Sequence, residues 1–436
     1  MHNKQKKAII FTSFGACLEW FEFTLYAYTA HYLTQVIFPK ESMVNGLLAI
    51  FGIFAAGYLM RPIGGVIIGY LGDKKGRSYA LKLSILLMSI PMLITTIMPT
   101  YQQIGNYAVL ILIFTRMLQG FSVGGEYTGV LIMLIEHSPI KKRGLITSFA
   151  SISSSLGVLL SSMTVATLAS ILTSEQMVTW GWRVAFGVGT ILAIVSFFMQ
   201  QSVAESPMYV EFKKEEKNAM PKPAFFSSLI QYRRSLLYVF VLTGYLGIAY
   251  YIMAAYLPNS LISLRDINTS TILWITTLFS AVYAFTAPIW GYLTDIVGRK
   301  TVILIPTLIL MLTAAPLFNI FANGAIFLIV LAQILLAVLI SAATCGFQVT
   351  INELFPTKNR YSGVSSSYNI SNAIFGGSAP VIATLLVSHT GNPSSPAFYL
   401  IGASIVTLIV ISTMPETLNS KYFQIKAIKD EPIIQI

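Results

Sequence analysis

Apolar runs long enough to cross a membrane recur along the whole chain, separated by short polar segments. Twelve runs are present, near 8–32, 45–70, 79–99, 106–135, 145–171, 183–203, 235–258, 270–293, 301–321, 324–351, 361–388 and 395–414. A helix of about 20 apolar residues spans the hydrocarbon core of a bilayer. The first run is too long and too rich in Glu and aromatic residues for a cleaved signal peptide. The pattern predicts an all-α membrane protein with twelve transmembrane helices, which we call spans 1–12.

A polar loop of nine residues occurs twice between these runs. Residues 69–77 read Gly-Tyr-Leu-Gly-Asp-Lys-Lys-Gly-Arg, and residues 291–299 read Gly-Tyr-Leu-Thr-Asp-Ile-Val-Gly-Arg. Two further landmarks recur in the same order: Glu136-x-x-Pro139-x-x-x-Arg143 with Glu353-x-x-Pro356-x-x-x-Arg360, and Glu205-Ser206 with Glu416-Thr417. Three landmarks in one order predict two six-helix pseudo-repeats.

The repeat divides the chain into halves. We expect residues 1–204 to form the N-terminal six-helix half, 205–232 a cytoplasmic linker, 233–414 the C-terminal six-helix half, and 415–436 a cytoplasmic tail. The charged and proline-containing linker is typical of a solvated connector and has room for a short surface helix. In proteins built from two such repeats, the substrate binds near the membrane midplane between them.

In each repeated loop an Asp and an Arg are four residues apart, as Asp73 and Arg77 and as Asp295 and Arg299. These residues can bridge the ends of neighbouring helices, or the carboxylate can lie at a helix N-terminus. Either contact would hold one conformation, as a latch. The alternative is that the loops only mark topology, but two copies at matching positions favour the latch.

The distribution of basic residues predicts the orientation. Of 28 Lys and Arg residues, Lys40, Arg183 and Arg265 fall in loops on one side, Arg61 and Arg116 fall within spans, and all others fall on the opposite side. Basic loops stay in the cytoplasm. We therefore expect a multi-pass protein of the cell inner (plasma) membrane with both termini cytoplasmic.

The composition agrees with this topology and argues against a soluble protein, a nucleic-acid-binding protein and an enzyme. The chain has 436 residues, of which 55% are hydrophobic and 10% charged, whereas soluble domains have about 25% charged residues. The net charge of +11 follows the topology and does not indicate a nucleic-acid partner. The two cysteines lie in different spans, and no common catalytic or metal-binding motif is present. We expect no enzyme activity, no cofactor and no metal.

Five ionisable residues lie within spans, all in the first half: Glu19, Glu22, Arg61, Arg116 and Glu126. Placing an ionisable side chain in lipid costs free energy, so such residues mark functional sites. Glu19, Arg61 and Glu126 lie roughly 14–16 Å from the cytoplasmic ends of their helices, at 1.5 Å per residue, so they can meet. Protonation of a Glu paired with an Arg would release the Arg for an anionic group of the substrate.

These five residues are candidates for two roles. Glu22 is three residues from Glu19 on the same helix face, and two close carboxylates favour protonation of one of them. We therefore interpret Glu19, Glu22 and Glu126 as proton-coupling residues, and Arg61 and Arg116 as substrate-binding residues. The alternative is that the charges only pair and hold the helices together.

The second half offers neutral candidates for substrate contact. Tyr250 and Tyr251 lie in span 7 and Asn369 in span 11. Aromatic faces attract cations such as a quaternary ammonium, although such rings are more often packing or interface residues. No charged residue lies deep in a span between Arg234 and Thr413.

These motifs resemble those of a known family. The repeated loop resembles the signature of the major facilitator superfamily, and the chain resembles its metabolite:proton symporters, including proline/betaine and α-ketoglutarate transporters. The supporting segments are residues 15–26, 61–65, 116–127, 180–183, 205–207 and 256–258. Glu22 stands where the family usually has Asp. The resemblance implies the major facilitator fold and places the five intramembrane charges near the transport pathway.

The resemblance implies a secondary active transporter that takes up a small organic metabolite with protons and functions as a monomer. The substrate would be a proline/betaine-like zwitterion or a carboxylate such as α-ketoglutarate; three carboxylates against two Arg favour the zwitterion slightly. The alternative is an exporter of an amphipathic compound or a siderophore. The Gly-Pro pattern typical of antiporters is missing from residues 151–162, which disfavours export. A membrane enzyme or receptor would need a motif or soluble domain that the sequence lacks.

Overall fold

The structure is a computed structural model that describes residues 3–216, 231–265, 267 and 269–418. Ten spans are single helices in it: Asn3–Ile37, Met43–Lys75, Arg77–Ile97, Asn106–His137, Arg143–Ile171, Trp182–Gln201, Thr269–Val297, Arg299–Asn323, Ile326–Glu353 and Pro396–Thr413. They are spans 1–6, 8–10 and 12. Spans 7 and 11 consist of two helices each. A short helix, Pro207–Glu216, follows span 6.

The predicted fold class is confirmed for the described residues. Eleven segments are long and apolar enough to cross a membrane. The remaining span, Thr269–Val297, has 29 residues, and Asp295 is its one charged residue. The described part of the chain contains no β-strand. The division into halves at 204–233 stays a prediction, and residues 217–230 of the predicted linker and 419–436 of the predicted tail lie outside the described residues.

Spans 7 and 11 each change helix type in the middle. In span 7 the helix Arg233–Tyr251 passes through a π-helical turn, Ile252–Tyr256, into the helix Leu257–Arg265. Span 11 is built in the same way from Arg360–Ser371, Asn372–Gly376 and Ala379–Thr390. The prediction that span 7 ends at Pro258 is wrong. Pro258 lies in the first turn of the second helix, where the missing N–H of proline costs little.

The helices cluster into two compact units. The first contains residues 1–137 and 153–214, and the second contains residues 138–152 and 215–436. In the first unit, spans 2 and 3 pack on span 4, span 3 packs on span 6, and span 1 packs on spans 4 and 6. In the second unit, the same pattern recurs six spans later. The repeat seen in the sequence is therefore also a repeat of helix packing.

Glycines bring spans 2 and 4 into backbone contact. A Cβ added at Gly64 would lie 1.8 Å from the carbonyl oxygen of Phe121, and one at Gly120 would lie 1.8 Å from that of Gly57. No side chain larger than hydrogen fits at these distances. Because Arg61 lies between Gly57 and Gly64, this contact fixes where its side chain leaves the helix.

We predict that Gly64→Ala lowers the melting temperature of the detergent-purified protein. The added methyl group must push the two helices apart, and overpacking typically costs about 1–3 kcal/mol. Gly52→Ala is the matched control, because Gly52 is on the same helix and a Cβ added there would have nothing within 4 Å. The control should leave the melting temperature unchanged or raise it, since Ala favours helix. Equal effects of both changes would contradict this packing.

Candidate functional site

A small cavity lies within the first unit, between spans 1, 2 and 4, with Met88 of span 3 also in its lining. Both predicted substrate-binding arginines and two of the predicted proton-coupling carboxylates line it. The lining residues are Glu19, Glu22, Phe23, Phe54, Gly57, Tyr58, Arg61, Met88, Arg116, Gln119, Gly120 and Val123.

Arg61 of span 2 faces Glu19 of span 1. Their nearest nitrogen and oxygen atoms, Nη2 and Oε1, are 4.0 Å apart, and both side chains are buried. The guanidinium also lies over the ring of Tyr58, 5.1 Å from its centroid. The two charges neutralise each other, but the distance is too long for a direct hydrogen bond between them.

Arg116 of span 4 faces Glu22 in the same way. The distance between Nη2 and Oε1 is again 4.0 Å, and the guanidinium lies 4.7 Å from the ring centroid of Tyr26. Within the described part of the chain, Nε and Nη2 of Arg116 and both carboxylate oxygens of Glu22 have no hydrogen-bond partner. Buried polar atoms in this state are uncommon and call for an explanation.

Glu126 of span 4 belongs to neither of these two ion pairs. Its side chain is fully buried, and a Cβ added at Gly15 would lie 3.5 Å from its Oε1. Neither oxygen has a hydrogen-bond partner among the described residues, and those residues give it no ion pair. The expectation that Glu126 meets Arg61 therefore has no contact to support it; Glu19 alone pairs with Arg61 among the three predicted proton-coupling residues.

Aromatic rings form one wall of the cavity. The ring centroids of Phe23 and Phe54 are 4.8 Å apart, those of Phe23 and Tyr58 5.7 Å, and those of Phe54 and Tyr58 5.5 Å. Phe23, Phe54 and Tyr58 were not among the candidate site residues predicted from the sequence. The signal was present, because Phe54 and Tyr58 are four residues apart and Tyr58 is three before Arg61, which places all three on one helix face.

The neutral candidates of the second half belong to the second unit. The rings of Tyr250 and Tyr251 are in edge contact with centroids 5.7 Å apart, and Tyr250 also contacts Phe279 and Tyr283. Asn369 is buried and donates a hydrogen bond to the carbonyl of Ser365 in its own helix, 2.8 Å away. These contacts are those of helix packing, and a role in substrate binding stays a prediction.

Residues from all three repeated landmarks meet in the first unit, in a cluster that we call the first junction. Arg77 donates to Asp73 at 3.0 Å and lies 3.4 Å from Glu136. Ser206 donates a hydrogen bond to Glu136. Glu205 accepts from the backbone N–H of Arg77 at 2.9 Å, at the N-terminus of span 3, where a carboxylate is stabilised by the helix dipole.

The second unit repeats this cluster as the second junction. Arg299 lies 3.2 Å from both Asp295 and Glu353. Thr417 donates to Glu353 at 2.7 Å, and Glu416 accepts from the backbone N–H of Arg299 at 3.1 Å. Landmarks that lie far apart in the sequence are thus parts of one network in each unit.

A glycine with positive φ allows each junction to close. Gly76 has φ 117° and Gly298 has φ 110°, which favours glycine at both positions. A Cβ at these positions would also lie 2.2 Å from the carboxylate of Glu205 and 2.7 Å from that of Glu416. The Gly of the repeated loop therefore serves both the turn and the approach of the carboxylate.

The second junction has an additional contact with the start of span 5. Asp295 accepts hydrogen bonds from the backbone N–H groups of Gly144 at 2.8 Å and Leu145 at 3.0 Å. Arg143 lies 3.3 Å from Glu353. A carboxylate at a helix N-terminus is the second of the two arrangements expected for the repeated loops.

Comparisons with known proteins agree with this architecture. Residues 8–222 match the family model of the sugar (and other) transporters, and residues 252–424 match that of the Major Facilitator Superfamily. The chain is 33% identical over 425 residues to the proline/betaine transporter of Escherichia coli, covering 96% of this chain and 85% of that one. It is also 33% identical over 429 residues to a putative proline/betaine transporter of Staphylococcus aureus, covering 96% and 91%.

The chain belongs to the major facilitator superfamily. It is a multi-pass membrane transporter of small solutes and not an enzyme. Among solved structures, the proton:xylose symporter XylE superposes with a TM-score of 0.78 at 18% identity, over 95% of this chain and 96% of that one. The human organic anion transporter TETRAN superposes with a TM-score of 0.68 at 12% identity, over 94% and 100%. These two structures show that the transporter has the fold of the superfamily.

We predict that Glu205→Ala and Glu416→Ala each lower the melting temperature of the purified transporter. Each change removes the carboxylate that caps a span, and loss of a helix cap typically costs about 0.5–2 kcal/mol. Glu41→Ala is the control, because Glu41 is exposed in the loop before span 2. The role of the junctions would be disproved by unchanged melting temperatures for both cap variants.

Proposed function

We propose that this transporter takes up a small zwitterion of the proline/betaine type together with protons. The observation that supports this most is the pair of buried arginines in the first-unit cavity. Each lies 4.0 Å from a carboxylate, close enough for neutralisation but not for a hydrogen bond between the two groups. A substrate carboxylate that forms charge-assisted hydrogen bonds with either guanidinium can therefore take the place of the glutamate.

The charge balance of the cavity favours a zwitterion. Glu19 and Glu22 balance Arg61 and Arg116, so a ligand without net charge leaves the balance unchanged. Its carboxylate would bind an arginine, and its cationic end would lie near a glutamate or an aromatic ring. A dicarboxylate would add two negative charges to a buried site that already holds two, which is costly in a low-dielectric environment.

Proton coupling would use the glutamates. Binding of a substrate carboxylate to Arg61 or Arg116 weakens the attraction that holds Glu19 or Glu22 ionised, so protonation follows. Glu126 is buried without ion pair or hydrogen bond among the described residues, a setting that favours the neutral acid. The three glutamates can therefore share protons whose number depends on whether substrate is bound.

The repeated loops would control access to the site. We infer that both act as latches on the cytoplasmic side, Asp73 with Arg77 in the first junction and Asp295 with Arg299 in the second. The hydrogen bonds from Gly144 and Leu145 to Asp295 support this for the second loop, since they join the end of span 8 to the start of span 5. The bias of basic residues supports an inner-membrane location with both termini cytoplasmic, and we expect a functional monomer.

The relatives support the substrate class and the coupling. Two are named as proline/betaine transporters, one of them provisionally, and a structural neighbour is named as a proton:xylose symporter. No group of three His, Cys, Asp or Glu side chains suited to a metal ion occurs in the ranges that the structure describes. The proposed chemistry needs only side chains and protons.

We predict that Glu126→Gln abolishes accumulation of proline or glycine betaine in proteoliposomes driven by an imposed proton gradient. The amide keeps the size of the side chain but cannot carry a proton. Counterflow exchange, which needs binding and conformational change but no net proton movement, should persist. Glu41→Gln, at an exposed position, should retain both activities.

The same assay separates the alternatives. Accumulation by the unaltered protein without a proton gradient would contradict proton coupling. Loss of counterflow together with accumulation would show that Glu126 holds the structure or the substrate and does not carry the proton.

We predict that Asp295→Asn increases maleimide labelling of Ser148→Cys several-fold. Ser148 is fully buried near Gly291 of the second loop, so a cysteine there reports separation of span 5 from that loop. Asn removes the charge and one of the two acceptor oxygens that bind the start of span 5. The protein without Ser148→Cys gives the background, because both native cysteines are buried. Unchanged labelling would contradict the latch.

A further inference from the structure

The aromatic wall of the cavity faces the same space as the two arginines. Phe23, Phe54 and Tyr58 are each partly exposed, and all three line the cavity together with Arg61 and Arg116. Their mutual centroid distances of 4.8, 5.5 and 5.7 Å make them one compact surface.

We propose that Phe23, Phe54 and Tyr58 bind the alkylated ammonium end of the substrate while an arginine binds its carboxylate. The assignment rests on the proposed uptake of a zwitterion and adds which end binds where. It places an aromatic cation site on spans 1 and 2, whereas the sequence suggested the rings of span 7.

Ring faces beside both arginines already hold cations. The guanidinium of Arg61 lies 5.1 Å from the ring centroid of Tyr58, and that of Arg116 lies 4.7 Å from that of Tyr26. Both distances are within the range of about 6 Å for a cation–π contact. A substrate carboxylate that draws Arg61 towards itself would leave the Tyr58 face to the ammonium group of the same substrate.

The chemistry of the wall favours an ammonium group with N-alkyl substituents. The phenyl rings of Phe23 and Phe54 offer no hydrogen-bond acceptor. An ammonium group with N–H donors would therefore lose its hydrogen bonds to water at this wall and form none in their place. A tetraalkylammonium has no N–H to satisfy and is held by the ring quadrupole and by apolar contact. A secondary ammonium such as that of proline needs an acceptor, which Glu19 or Glu22 provides.

The two kinds of zwitterion should therefore depend on different residues. Glycine betaine should depend on the aromatic wall, and proline should depend on it much less. The carbon isostere of glycine betaine, 3,3-dimethylbutanoate, has the same shape and carboxylate but no positive charge, so it should bind weakly.

The test measures binding of glycine betaine, proline and 3,3-dimethylbutanoate to the purified full-length transporter. Phe54→Leu and Tyr58→Leu should each raise the dissociation constant of glycine betaine about tenfold, while that of proline changes by less than about twofold. Tyr58→Phe retains the ring and should bind glycine betaine more tightly than Tyr58→Leu does. Phe51→Leu is the matched control, because Phe51 is on the same span, is 48% exposed and does not line the cavity.

Two results would overturn the aromatic site while leaving the proposed function intact. One is an equal loss of proline and glycine betaine in Phe54→Leu with the unaltered protein binding both. The other is binding of 3,3-dimethylbutanoate as tight as that of glycine betaine. Failure of the unaltered protein to bind either zwitterion would overturn the proposed function and the aromatic site together. Size-exclusion profiles of the variants, compared with that of Tyr58→Phe, exclude misfolding as the cause.

Discussion

A charge buried in the membrane needs an opposite charge or hydrogen bonds, and the cavity of the first unit meets this need only in part. Arg61 and Arg116 are each neutralised by a glutamate at 4.0 Å. A shorter pair with complete hydrogen bonds would be stable and inert, because breaking it would leave a buried charge alone. At 4.0 Å the partner can be exchanged for a substrate carboxylate. In the proposed function, the site binds an anionic group of the substrate and releases a glutamate in one event.

The helices set the points from which the paired side chains leave the backbone. Span 2 contacts span 4 through glycines whose backbones touch, so Arg61 and Arg116 leave their helices at fixed points. Glu19 and Glu22 lie on span 1, which packs on both of these spans. A change of helix packing during transport would therefore change the distances within both pairs.

The two units share a framework and differ in chemistry. Both have the same order of helix contacts, and both hold a junction in which an Arg binds a Glu of the span that follows it. The ionisable residues deep in spans belong to the first unit, whereas the described spans of the second unit have their charges at the ends. The second junction adds the contact between Asp295 and the start of span 5. The two units therefore share a packing framework, and the charges deep in the described spans distinguish the first from the second.

The sequence predicts the spans, the repeat and the buried charges, because hydropathy and motif order depend on local pattern alone. It does not predict that Glu22 pairs with Arg116, since this depends on the rotation of two helices about their axes. The aromatic wall is missed for the same reason: Phe23 and Phe54 are ordinary apolar residues until spans 1 and 2 place their rings together. The π-helical turns of spans 7 and 11 leave no clear local signal, and Pro258 suggests a helix end where the helix continues.

The central claim is that substrate binding in the first-unit cavity changes the protonation of a buried glutamate. Calorimetric titration of the purified protein with glycine betaine or proline, repeated in buffers with different ionisation enthalpies, counts the protons exchanged on binding. If the carboxylate takes an arginine from its glutamate, binding takes up protons from the buffer, and affinity falls as pH rises. Binding heats that are independent of the buffer, with an affinity that does not vary with pH, would contradict the account.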